Sequence, residues 1–187
     1  MGAIEDFLDD CQVRMDKSIE STRHEFASVR TGRASTGLLD RITIDYYGTP
    51  TPLNTMAQIG APEARLLTVQ PYDPSSIKAV EKAIMESDLG LTPSNDGKVI
   101  RLPIPQLTEE RRKELVKLVR KFAEEGRVSV RNVRRDVMRH LEDLVRNGEV
   151  GDDEERRAED KVQKLTDEHV KRIEELLKHK EAEIMEV

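Results

Sequence analysis

The chain has 187 residues, of which 36% are apolar, 36% charged and only 3% aromatic, and its formal net charge is −6. With three Phe, three Tyr and no Trp it cannot tile a stacking platform for single-stranded RNA; the single cysteine, Cys11, cannot form an internal disulfide and fits a reducing compartment. The acidic start, with Asp6 where a myristoylation signal wants Ser or Thr, is no signal peptide, and no run is apolar enough to span a membrane, so a cytoplasmic protein without a membrane partner is expected.

Residues 3–30 place Ile4, Phe7, Leu8, Cys11, Met15, Ile19, Phe26 and Val29 at the spacing of one helix face. Thr31-Gly32 follows, and Gly32 suits the position just past a helix end. The period then drops to two: Ile42, Ile44 and Tyr46 alternate with Thr43 and Asp45 as in a strand. Residues 47–52, Tyr-Gly-Thr-Pro-Thr-Pro, read as turn and sheet edge. Residues 66–70 form a second strand candidate. Asp73-Pro74 caps a short helix whose apolar face is Ile77, Val80 and Ile84, stopped at Gly90. Residues 94–97 read as a turn and 99–102 as a last strand. Pro103-Ile104-Pro105 closes this stretch in extended backbone.

From Thr108, a good N-cap, a proline-free helix is expected to about Asn147. Leu115, Val119, Phe122, Val130, Val133, Val137, Leu141 and Leu144 share one face of it. Asn147-Gly148 and Gly151 break it, and Asp152 with Glu155 resembles a capping box opening a third helix. That helix carries Ala158, Val162, Leu165, His169, Ile173, Leu176 and Ile184 on one stripe. No helix buries its stripe alone. The expected fold class is therefore α+β. Residues 1–30 and 106–187 form a long antiparallel three-helix bundle, and 31–105 a small α/β domain inserted between its first and second helices. Two short segments cross the boundary, Arg30-Thr31-Gly32 and Pro103-Ile104-Pro105. Gly32 tolerates a wide φ range while Pro103 and Pro105 hold length, so Thr31, Gly32, Pro103, Ile104 and Pro105 are the expected hinge.

Charge is distributed unevenly. Residues 106–147 are net +4, whereas 1–30 are net −3 and 148–187 net −6. Within the basic island, Lys113, Lys117, Arg120, Arg127, Arg131, Arg134 and Arg135 point about 100–200° away from the apolar stripe. Arginine forks match phosphate oxygens, so this stripe is the candidate polyanion face, with Arg131, Arg134 and Arg135 densest and Asp136 the chief acid expected to compete. A solvated helix face with local ion pairs is the plain alternative. Arg30 and Arg33 add cations beside Gly32. Catalytic signals are poor: His24, His140, His169 and His179 read as satisfied structural residues. No phosphate-cradling glycine loop, calcium loop or metal set occurs, and no cofactor is expected.

Several strings, in order, now add up: residues 13–17 (Val-Arg-Met-Asp-Lys), 30–35 (Arg-Thr-Gly-Arg-Ala-Ser), 46–52 (Tyr-Tyr-Gly-Thr-Pro-Thr-Pro), 87–91 (Ser-Asp-Leu-Gly-Leu), 107–113 (Leu-Thr-Glu-Glu-Arg-Arg-Lys), 130–135 (Val-Arg-Asn-Val-Arg-Arg) and 160–167 (Asp-Lys-Val-Gln-Lys-Leu-Thr-Asp). Together they resemble the bacterial ribosome recycling factor family along the whole chain. The resemblance implies an L-shaped molecule of three-helix bundle, hinge and β/α/β domain. It implies a non-enzymatic factor that binds the post-termination 70S ribosome, mainly large-subunit rRNA. With elongation factor G hydrolysing GTP, such a factor splits the subunits and frees the messenger. Arg131 and Arg134 match the family's critical arginines, with Arg135 completing their string. Arg127, Lys117 and Arg120 extend that face, and Arg30 and Arg33 match basic positions near the elbow. Gly126 departs from the alanine of relatives, and a mid-helix glycine costs about 1 kcal/mol against alanine. A monomer is expected. A coiled-coil adaptor would instead use the apolar stripes between chains, and a hydrolase in residues 31–105 would need convergent groups that the sequence lacks.

Overall fold

A computed structural model describes residues 2–186. In chain order the elements are α1 (Ala3–Ala27), a hairpin of β1 (Thr43–Tyr46) and β2 (Thr49–Pro52), the single turn α2 (Leu53–Met56), β3 (Ala57–Glu63), β4 (Leu66–Pro71), α3 (Ile77–Glu86), β5 (Ser94–Asn95), β6 (Ile100–Pro103), α4 (Glu109–Arg146) and α5 (Asp152–Met185). They divide into two units, one of residues 2–31 with 109–186, the other Gly32–Thr108.

The first unit is a bundle in which each helix packs on both others. Partners fix the directions. Arg14, Ser18 and Thr22 of α1 meet Asp136, Ser129 and Gly126 of α4 in falling order, so α1 and α4 run antiparallel. Arg134 reaches Gln163 and Arg120 reaches Glu181, so α4 and α5 do as well. The 38 residues of α4 span about 57 Å at 1.5 Å per residue. Its buried stripe runs from Leu115 through Val130 and Val137 to Leu144, against Cys11, Met15, Ile19 and Phe26 of α1 and Val162 and Ile173 of α5.

The expected stripe differs from the observed one in the middle. Phe122, Leu165 and Leu176 are only half-buried, while Ala123, Gly126, Ser18, Thr22 and Thr166 are buried. Small residues fill this layer because the helices approach closely there. A Cβ on Gly126 would stand 2.3 Å from Thr22 Oγ1 and 3.2 Å from Ile173 Cδ1. The helix runs unbroken through Gly126, whose role is contact rather than softness. Thr22 Oγ1 donates to the Ser18 carbonyl at 2.9 Å, and the Ser18 and Ser129 hydroxyls bond at 2.7 Å, so the polar atoms in this layer are paired.

The turn between α4 and α5 closes α4 as a Schellman motif. Gly148, at φ +72°, donates to the Val145 carbonyl at 2.9 Å, and Glu149 donates to Leu144 at 2.9 Å. The cap of α5 is Gly151, whose carbonyl accepts from Glu154 and Glu155; Asp152 lies inside the helix and caps nothing. Asp152 and Glu155 act instead, with Asp153 and Glu154, as first-turn acids facing the positive end of the helix dipole.

The second unit holds two antiparallel sheets, β1-β2 and β3-β4-β6-β5. Alternating residues Leu67, Val69, Ile100 and Leu102 are buried with Val80 and Ile84 of α3. Asp73 caps the turn before α3 by accepting from the Ser75 N–H at 3.0 Å. Residues 49–52, expected as turn and edge, pair as a strand with 43–46, leaving a two-residue loop of Tyr47 (φ +51°) and Gly48 (φ +83°). Ser94-Asn95, expected as turn, pairs with Ile100-Arg101. Periodicity does not reveal β3, because Gly60 and Pro62 spoil its alternation; the register shifts there, as edge strands allow.

Both connections are tied to one turn of this unit. Ala34 N–H donates to the Ala64 carbonyl at 2.7 Å, and Ile104 N–H donates to the Arg65 carbonyl at 2.8 Å. Pro103 pairs with Leu66 as the end of β6. Pro103 and Ile104 are therefore bound to the sheet, and the lengths outside it are 28–33 and 105–108. Gly32 sits at φ +74°, with Leu107 Cγ 2.9 Å from where a Cβ would be. Among the described residues, no helix is long and apolar enough to cross a membrane.

Candidate nucleic-acid interface

The buried stripe of α4 fixes what its opposite face presents. Lys117, Arg120, Arg131 and Arg135 are exposed, and Arg127 and Arg134 half-buried. One helix thus gathers six of the eight expected cations over about 27 Å, from Lys117 to Arg135 at 1.5 Å per residue. Arg30 follows α1 in the same unit and is exposed; Arg33 is exposed and belongs to the Gly32–Thr108 unit.

Their commitments differ. Arg120 Nε donates to Glu181 of α5 at 2.6 Å. Glu124 holds Arg127 at 2.9 Å and lies 3.8 Å from Arg131. Lys113 pairs with Glu109 at 3.5 Å. Arg135 and Lys117 make no ion pair among the described residues. Asp136 does not compete for the stripe. It takes the Arg14 guanidinium of α1 at 2.6 Å, which holds its carboxyl below the usual carboxylate range and raises Arg14 in turn. The acids that do compete are Glu124, one helix turn before Arg127, Glu181 of α5 and Glu109. Solvent-exposed ion pairs contribute about 0–1 kcal/mol.

Arg134 is held differently. Its Nη1 donates to Gln163 Oε1 of α5 at 2.8 Å, Gln163 Nε2 donates to Asp167 Oδ1 at 2.9 Å, and the Arg134 Nε is buried without a partner among the described residues. Sequence reading did not single out Gln163 and Asp167, the hydrogen-bonded partners of Arg134. Their i,i+4 spacing in the 160–167 string was the available signal, but nothing in a linear pattern sets them opposite Arg134.

His169 is buried, with Nδ1 2.6 Å from the Leu165 carbonyl and Nε2 2.8 Å from Asp16 Oδ1. Asp16, bonded also by Arg172, lies below the usual carboxylate range through His169 first and Arg172 next. His140 stacks on Phe7 at 5.1 Å, yet its Nδ1 is buried without a partner among the described residues, so it is not the satisfied histidine expected. His24 is exposed, and His179 pairs on the surface with Glu183 at 3.2 Å. Burial pushes the Cys11 thiol up to about 11, leaving a small hydrophobe. Among the described residues no three His, Cys, Asp or Glu side chains are grouped to hold a metal.

Comparison with known proteins bears on what the face serves. A ribosome recycling factor family profile matches residues 22–185. The ribosome-recycling factor of Rubrobacter xylanophilus is 61% identical over 180 residues, 96% of this chain and 97% of the relative. That of Geobacillus kaustophilus is 59% identical over 174 residues, 93% of this chain and 94% of the relative. A solution structure of a ribosome recycling factor superposes with a TM-score of 0.78 at 42% identity, covering all of both chains. A second neighbour, again over all of both chains with a TM-score of 0.66 and 45% identity, comes from models of the T. thermophilus ribosome recycling factor and the E. coli elongation factor G bound to the E. coli post-termination complex. A three-helix bundle of this connectivity, one helix bearing a file of exposed cations, and near-full-length identity of this order assign the chain to the ribosome recycling factor family.

Proposed function

We propose that the chain binds the ribosome after termination by seating α4 on large-subunit rRNA. With elongation factor G and GTP it then splits the subunits and releases the messenger. The observation that carries this reading is the α4 face itself, on a net acidic chain. Arg135 and Lys117 are free of ion pairs among the described residues, and Arg120, Arg127 and Arg131 each pair through a contact in which at least one side chain is exposed. A polyanion meets the local face, not the net charge, within a Debye length of about 8–10 Å. Elongation factor G as partner is supported by the T. thermophilus relative, which shares a post-termination complex with that factor. The factor is not itself an enzyme; GTP hydrolysis belongs to its partner, and the chain works as a cytoplasmic monomer. The Gly32–Thr108 unit is the part on which the partner acts, and 28–33 with 105–108 are its pivot. Gly32 at φ +74° and Pro105 with its fixed φ support that division.

The test is sedimentation with isolated large subunits across a salt series, followed by addition of elongation factor G and GTP to post-termination ribosomes. Binding that falls steeply with salt and subunits that separate only with all components present are expected. Salt-independent binding, or none, refutes the α4 face; binding without splitting refutes the recycling step.

A further inference from the structure

We propose that Gln163 and Asp167 of α5 are positioning residues that preset the Arg134 guanidinium for an rRNA phosphate; this rests on the α4 reading above. The 160–167 string contributes Val162 and Thr166 to the core, whereas Gln163 is half-buried and Asp167 exposed, so a place in the core is not their role. The hydrogen bonds supply one. Arg134 Nη1 donates to Gln163 Oε1 at 2.8 Å, and Gln163 Nε2 donates to Asp167 Oδ1 at 2.9 Å. A guanidinium only donates and a carboxylate only accepts, so the intervening amide has a single allowed orientation. Asp167 fixes that orientation and Gln163 passes it to Arg134.

An amide in this position also preserves charge. Arg120 and Arg127 are held by carboxylates, Glu181 and Glu124, which a phosphate must displace. Arg134 is held by a neutral group and keeps its full positive charge, while the acid that steadies it is one side chain removed. An arginine carries about 2 kcal/mol of rotamer entropy, part of which a free side chain loses on binding. Gln163 and Asp167 remove some of that loss beforehand. They are also reached from a different helix, so the network makes the arginine's aim depend on the α4-α5 packing.

The experiment measures affinity for isolated large subunits and its salt slope, on full-length chains, for Gln163→Leu, Gln163→Glu, Asp167→Asn and Arg134→Ala, and for each α5 change combined with Arg134→Ala. Gln163→Leu should weaken binding about three- to tenfold with the salt slope unchanged, because the phosphate contact remains but is no longer prearranged. Gln163→Glu should weaken it further and flatten the slope of log affinity against log salt by about 0.7–0.9, one phosphate's share, because Arg134 is now neutralised. Asp167→Asn should weaken it about two- to threefold, since the amide loses its single orientation. In the Arg134→Ala background all three should have no further effect. Losses that persist there would mean that the α5 changes act through the fold, and would overturn the proposal. So would wild-type affinity in Gln163→Leu and Gln163→Glu alongside a weakened Arg134→Ala. Wild-type affinity in Arg134→Ala itself would instead remove this arginine from the RNA face and refute that part of the underlying reading.

Discussion

Replacing Gly126 by alanine sets two effects of known size against each other. Helix propensity alone favours alanine by about 1 kcal/mol in a helix interior. The new Cβ, however, would sit 2.3 Å from Thr22 Oγ1 and 3.2 Å from Ile173 Cδ1. Thr22 cannot withdraw its oxygen freely, because the hydroxyl donates to Ser18 O at 2.9 Å and a β-branched side chain in a helix is stiff at χ1. Overpacking of this kind costs about 1–3 kcal/mol. The net expectation is a bundle about 1 kcal/mol less stable, opposite in sign to the propensity argument. Thr22→Ala removes the obstruction and by itself costs about 1 kcal/mol in lost packing. Combined, the two changes should restore the gain from propensity, with a favourable coupling of about 2 kcal/mol. Urea titration followed by far-UV circular dichroism reads this directly, since the three long helices dominate the helical signal. A more stable Gly126→Ala, or single-mutant effects that add within about 0.3–0.5 kcal/mol, would refute the close-contact explanation.

Arg135→Ala should weaken large-subunit binding more than Arg120→Ala, because Arg120 already commits its Nε to Glu181 while Arg135 makes no ion pair among the described residues; equal losses would show that pairing is irrelevant. Asp16 and Asp136 are both depressed, the first by His169 and Arg172 and the second by Arg14, so their contribution is present above the ordinary carboxylate pKa and lost as pH falls through the folded values. Bundle stability should thus decline below about pH 4, with a shallower decline in Asp16→Asn and Asp136→Asn; an unchanged acid limb would contradict the assignment. Cys11, fully buried with its thiol pushed up to about 11, should react with a thiol reagent only as fast as the bundle opens, and rapid reaction of folded protein would disprove the burial. Gly32→Ala places a Cβ against Leu107 at a left-handed φ, a strain of roughly 1–2 kcal/mol, and should slow splitting while large-subunit binding stays at wild-type strength; unchanged splitting would remove Gly32 from the pivot.

The bundle is legible in the sequence because each long helix repeats one signal many times. Leu115, Val119, Val130 and Val137 report the same face, so one misplaced residue such as Phe122 does not move the stripe. The inserted unit offers fewer repeats per element. Alternation of Leu67 and Val69 reveals β4, whereas β3, an edge strand interrupted at Gly60 and Pro62, lacks the period that defines a strand. Cations can be placed on a helix by angle alone, since an angle is a property of one helix. Which acid each cation meets is a property of two, and that is why Asp136 reads as a competitor of the stripe when it in fact faces Arg14 of α1. Gln163 and Asp167 escape for the same reason. The glycine at 126 shows the limit most sharply. Within α4 alone it is a defect worth about 1 kcal/mol; opposite Thr22 it is what the approach of α1 demands. A local rule broken in the sequence thus marks a contact that only the packed bundle contains.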